Sequence, residues 1–196
     1  MSNFIEKLKA RRSQYALTSE SPVSDQEIVK TVEDVTVQVP SAFNSQPQRA
    51  VVLFGDANQK LWNIVKETLR KVVSDDEAFK ATEAKINAFA AGHGTVLFYD
   101  DTDVTKQLQK NFPTYAANFP GFARDAAGML QLAVWTALAE KGLGASLQHY
   151  NPLIGFLLAR WHFVPTPSAG CCRRRCRSAP SPRPRLRLIS SRLTPA

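Results

Sequence analysis

The first 159 residues of this 196-residue chain contain no cysteine; Cys171, Cys172 and Cys176 all fall near the C-terminus. That absence excludes a disulfide framework and a thiol nucleophile from the body of the protein. Long apolar runs are also missing. The longest, residues 153–159, stops at Arg160, far short of the ~20 residues that cross a bilayer. The N-terminus has no secretory apolar core, so the expected location is the cytoplasm, with the nucleus open and no membrane partner. Acidic residues vanish from residue 160 onward: residues 160–196 carry nine Arg and no Asp or Glu, a charge of +9, whereas residues 1–159 hold 16 Lys and Arg against 17 acids, a charge of −1. The formal charge of +8 therefore belongs to the tail, and nucleic acid is expected as a partner only through it. No metal is expected either. His93 and His149 lack a convergent carboxylate, and the arginines within "CCRRRC" argue against zinc.

What is present reads as a mixture of helices and a few strands. Residues 4–17 suggest a short helix turning basic at its C-terminal end. Ser24 with Glu27 forms a capping-box pattern, after which Ile28, Val32, Val35 and Val39 keep helical spacing until Pro40, although "VTVQV" also alternates like a strand. "RAVVLFG" reads as a strand closed by Gly55, with Asp56 as the cap of a helix whose face carries Leu61, Ile64, Val65, Leu69 and Val72. A helix over residues 79–91, a strand "TVLFYDD", a short helix at 104–110 and an aromatic loop "NFPTYAANFPGF" follow. Residues 123–141 predict the most apolar helix, stopped by Gly142, and "GLGASLQHYN" returns as a third strand. Helices outnumber strands without even interleaving, which favours α+β over a doubly wound sheet.

Three polar stretches sit at turns between these elements. Arg11 and Arg12 offer forked donors suited to a phosphate, with the Ser13 hydroxyl beside them; a basic pair at a helix end also simply complements the dipole. Asn44 and Gln46, held between Pro40 and Pro47, each present a donor and an acceptor, which suits the edge of a heteroaromatic ring or a polyol. A loop can equally use such amides to satisfy its own backbone. Gly142, Gly144 and Ala145 would let backbone approach a planar ring, although "GLGAS" is neither GxGxxG nor a Walker loop.

Taken in order, "RRSQYAL", "VPSAFNSQPQR" before a strand, "NFPTYAANFP", and a long helix leading into "GLGASLQHYNPLI" resemble the FMN-dependent nitroreductase family. The nearest part of it is a short subgroup of fungal and bacterial proteins linked to lipid signalling and stress responses. The resemblance implies a nitroreductase-like fold with a central mixed sheet flanked by helices, an intertwined homodimer, and a ping-pong hydride cycle from NADH or NADPH through FMN to a nitroaromatic or quinone. By that resemblance Arg11, Arg12 and Ser13 hold the phosphate and ribityl end, and Asn44 and Gln46 contact the ribityl chain and ring edge. Gly144, Ala145 and Ser146 lie near the isoalloxazine, with Gln148 beside them, and Tyr115 and Phe119 shape the substrate side. The flavin carries the reactive atom, so no catalytic side chain is expected.

The resemblance covers residues 1–154, expected as an FMN-binding domain. Residues 155–196 change to an Arg/Pro-rich composition, expected to be disordered. Such a tail arises naturally, or from a shifted reading frame of a GC-rich gene. It replaces the arm with which family members embrace their partner subunit. The alternative readings are a catalytically impaired or regulatory flavin-binding protein, and a nucleic-acid-binding module acting through the tail.

Overall fold

The computed structural model describes residues 3–150 and 153–154, and the backbone of 187–192. Helix α1 (Phe4–Ala10) opens the chain with Asn3 Oδ1 accepting from the Ile5 amide. It ends before Arg11, earlier than the sequence suggests, and the backbone turns extended there. Helix α2 (Asp25–Gln38) takes its N-cap from Ser24, whose hydroxyl accepts from the Glu27 amide at 3.2 Å. Only half of the expected capping box forms, because the Glu27 carboxylate accepts from Lys141 Nζ at 2.6 Å instead. The helix takes "VTVQV" up to Gln38, with Val39 as its extended C-cap, so the strand-like alternation there loses to helix packing.

Strand β1 (Gln48–Phe54) runs directly into helix α3 (Gly55–Val72). Asp56 is not the cap; it lies within the first turn, where its charge suits the helix dipole. Helix α4 (Asp76–Ala90) leads to strand β2 (Gly94–Asp100), then helix α5 (Thr102–Asn111). Helix α6 (Phe119–Glu140) begins four residues before the expected start at 123, because Pro120 at its first turn needs no backbone N–H. Strand β3 (Gly144–Gln148) follows. Strand β4 (Arg187–Arg192) comes from within the tail. The other tail residues, the three cysteines among them, lie outside the described residues.

The sheet order is β1-β2-β4-β3, every ladder antiparallel. Its parallel component is a bridge from Ser13 to Ala145 on the side of β3 away from β4. β2 is buried throughout, and alternation sends its side chains into two cores. Leu97 joins Leu53, Leu61, Trp62, Ile86 and Phe89 under α3 and α4. Val96 and Phe98 join Val32, Leu130, Val134 and Leu138 under α2 and α6. This three-layer α+β arrangement matches the fold class read from the sequence. No helix among the described residues is long and apolar enough to cross a membrane.

Gly94 pairs with Phe54, and a Cβ there would lie 2.6 Å from the Leu53 carbonyl oxygen and 2.7 Å from the Phe54 ring. Backbone must move to admit it. Gly94→Ala is therefore expected to cost about 1–3 kcal/mol, read as a lower urea midpoint at unchanged slope.

Candidate functional site

The residues singled out in the sequence separate into two groups. The first lies around β3 and the C-terminal half of α6. After α1 the chain is extended, Ser13 bridges Ala145, and the Gln14 amide donates to the Ala145 carbonyl at 3.0 Å. This places "RRS" against "GAS". Ala145 and Ser146 are buried at 0 % and 1 % exposure, and Ser13 is exposed.

The two arginines have different occupations. Arg12 Nη1 donates to the carbonyls of Leu8 at 3.2 Å and Arg11 at 2.8 Å, closing the end of α1. Arg11 lays its guanidinium over the Trp135 ring, 4.2 Å from Cζ to the centroid. Its buried Nε has no acceptor among the described residues. A buried donor on a cation costs free energy until an acceptor arrives, and an anionic group such as a flavin phosphate fits that demand. Gln148 lies at the far end of β3 from Gly144, and its amide donates to Ser146 Oγ at 2.6 Å. That bond engages Gln148 within the chain.

The second group surrounds the loop before β1. Phe43, Asn44 and Gln46 all have positive φ, at 58°, 47° and 49°. Asparagine tolerates that region; for phenylalanine and glutamine it stores strain of order 1–3 kcal/mol each. The backbone is held by other groups: the Gln46 amide donates to Ser41 Oγ at 2.8 Å, and Arg49 Nη1 donates to the Gln46 carbonyl at 2.7 Å. Arg49 is itself fixed by Asp101 at 3.0 Å. Consequently the exposed side-chain amides of Asn44 and Gln46 have no partner among the described residues. The self-satisfying loop allowed by the sequence is not what forms. Tyr99, opposite Arg49 across the ladder, has its phenol pushed above the ordinary value by burial, with the Arg49 charge opposing.

Phe43 carries this loop onto the aromatic segment, its ring 5.0 Å from Phe112, 6.4 Å from Tyr115 and 5.4 Å from Phe119. Tyr115 is half exposed and available to a ligand. Phe119, expected beside it on the substrate side, is the buried hub of the cluster at 2 % exposure. Burial against Phe43, Phe112 and Phe122 leaves it no free face. Sequence reasoning missed Phe43, whose backbone strain has no one-letter signature, and the stacking role of Trp135, which reads as another apolar helix position.

The two groups are far apart within one chain. Arg11 rests on Trp135 and Phe43 on Phe119, sixteen residues along the same helix, or about 24 Å of rise. The sheet gives the same answer. β1 and β3 are its opposite edges, three strand spacings or about 14 Å apart. Among the described residues no cluster of His, Cys, Asp or Glu could hold a metal ion.

Comparison with known proteins agrees with this architecture. The Saccharomyces cerevisiae protein HBN1, a nitroreductase relative, is 38% identical over 156 residues, covering 79% of this chain and 77% of its own. Nitroreductase CinD from Lactococcus lactis, solved in complex with chloramphenicol, superposes with a TM-score of 0.78 at 36% identity, over 99% of this chain and 92% of that one. The same enzyme has been solved with nicotinic acid and with 4-nitrophenol. A more distant structure from Desulfovibrio desulfuricans, 18% identical with a TM-score of 0.63 over 97% of this chain and 86% of that one, contains FMN. The model of the nitroreductase family matches residues 8–166, running on past residue 154 where the sequence reading places the departure. On that match, and on the identity shared with its relatives, the chain belongs to the nitroreductase family.

Proposed function

We propose that this protein is an FMN-dependent NAD(P)H oxidoreductase of nitroreductase type, acting on nitroaromatic or quinone-like acceptors, with each flavin site shared between two copies of the chain. The observation that carries this reading is the separation of two incomplete half-sites, one with an orphaned cationic donor and one with two unpartnered amides. The anchor points of the two groups lie about 24 Å apart along α6, which favours a site that takes its halves from different chains. A second copy of the chain supplies the missing half to each.

In this arrangement Arg11 and Ser13 hold the phosphate end, and Gly144 and Ala145 bring backbone close to the ring. Asn44 and Gln46 of the second copy donate to and accept from the ring edge and the ribityl hydroxyls. Strain in their loop keeps the amides poised, because the backbone is pinned from beneath by Ser41 and Arg49. Bound FMN supplies the two-electron chemistry, and the chain supplies position, orientation and hydrogen bonds. Phe43 and the exposed face of Tyr115 offer an aromatic wall to a planar acceptor. The nitroaromatic and pyridine-ring ligands of the lactococcal relative support that assignment, as does FMN in a distant neighbour of the same fold.

The test is the visible spectrum and mass of the full chain after adding FMN and removing the excess. A yellow dimer is expected, bleached by NADH or NADPH without oxygen and recoloured by 4-nitrophenol or a quinone. Colourless protein overturns the flavin assignment, and a flavin-loaded monomer overturns the shared site.

A further inference from the structure

We infer that Trp135 is a positioning residue that makes the site select phosphorylated flavin over riboflavin, by holding the Arg11 guanidinium flat against its indole. The inference rests on the proposed flavin reading and concerns a residue that the reading itself does not need. A free arginine side chain loses about 2 kcal/mol of rotamer freedom when it is immobilised. Here much of that ordering precedes any ligand. The Arg11 backbone amide donates to the Lys7 carbonyl at 3.1 Å, which fixes the base of the side chain. Helix α1 is tied to α6 by Lys7 and Glu140, 2.5 Å apart. The indole then fixes the plane of the guanidinium at 4.2 Å, well inside the ~6 Å range of a cation–π contact.

The consequence follows from the shape of the group. Guanidinium N–H bonds lie in its plane, so stacking one face leaves all the donors at the rim, where an oxyanion is received edge-on. Arg12 makes the contrast, since its Nη1 donates to the carbonyls that end α1 and its side chain is exposed. Arg11 is the member of the pair kept open, and Nε is buried without an acceptor among the described residues. A phosphate answers that donor and the positive charge together. Riboflavin has only a hydroxyl at the same end and answers neither well.

The test measures the dissociation constants of FMN and riboflavin by flavin fluorescence on the full chain and on W135L, W135M and W135F. Leu and Met fill the space without a π face, so the result does not depend on one variant folding. Both are expected to lower the preference for FMN over riboflavin about tenfold, mainly through weaker FMN binding. W135F, which keeps a stacking face, is expected to retain most of the preference. In an R11A background W135L should change the ratio no further. Equal losses of FMN and riboflavin affinity, or an unchanged ratio, would overturn the inference and leave the flavin reading standing. Wild-type protein that binds neither flavin would overturn the flavin reading, and this inference with it.

Discussion

An equal mixture of Arg11→Ala chains and Asn44→Ala/Gln46→Ala chains, refolded together, is expected to bind FMN tightly although neither variant does so alone. Arg11 attaches to Trp135 and the amide loop attaches through Phe43 to Phe119, at widely separated points of α6. If each flavin takes the Arg11 half from one chain and the amide half from the other, a homodimer of either variant damages both of its sites. A mixed dimer collects both defects at one site and leaves the other wholly native. A hydrogen bond to a charged group contributes about 1.5–3 kcal/mol and two neutral ones together about 1–3 kcal/mol, so each homodimer should bind FMN roughly ten- to a hundredfold more weakly. Flavin added between the native and variant dissociation constants should then load one site per mixed dimer, read as retained absorbance after gel filtration. A mixture that retains no more flavin than the mean of its two components would show that each chain builds its own site.

Trp62→Ala is expected to have the largest effect on stability, about 3–5 kcal/mol, a large part of the roughly 5–15 kcal/mol that holds a domain folded. Trp62 is 1 % exposed at the centre of the core beneath α3 and α4. Its ring lies 5.6 Å from Phe89 and meets Tyr150 edge-on at 6.0 Å. Its Nε1 donates to Thr95 Oγ1 at 3.1 Å, Thr95 donates to Asn58 Oδ1 at 2.6 Å, and Asn58 Nδ2 donates to the Gly92 carbonyl at 3.2 Å. That chain of bonds ties α3 to β2 and to the turn before it. Trp62→Phe should cost less than the alanine variant, since it keeps most of the apolar contact and loses the indole donor. Urea titration of the three proteins checks both statements. An alanine variant within about 1 kcal/mol of wild type would mean that this core collapses around the gap.

Much of the fold was legible from short-range pattern. The helices and strands appear close to where the pattern put them, because the short apolar run in "TVLFYDD" and the stripe of Leu61, Ile64 and Val65 each match one backbone geometry. The misreadings come from competition between local choices that only packing resolves. "VTVQV" suits a strand by composition, yet α2 retains all of it but Val39, with Val35 packed against the core on the α6 side of the sheet. Glu27 matches a capping box, yet Lys141, distant in sequence, takes its carboxylate.

The candidate site divides along the same line. The sequence by itself determined which chemistry was on offer: two forked cations and a hydroxyl, two uncharged amides between prolines, a small-residue strand, and no thiol in the body. Residue type and order are enough for that, because donor and acceptor capacity is a property of the side chain. The tertiary structure alone decided which of those groups remain free. It turned Arg12 onto the end of α1 and left Arg11 Nε without an acceptor among the described residues, with its guanidinium against Trp135. It pinned the amide loop through Ser41 and Arg49, and set the two half-sites at opposite edges of one sheet. These outcomes depend on contacts between residues far apart in the chain, and the free energy of such contacts is not written in any local pattern.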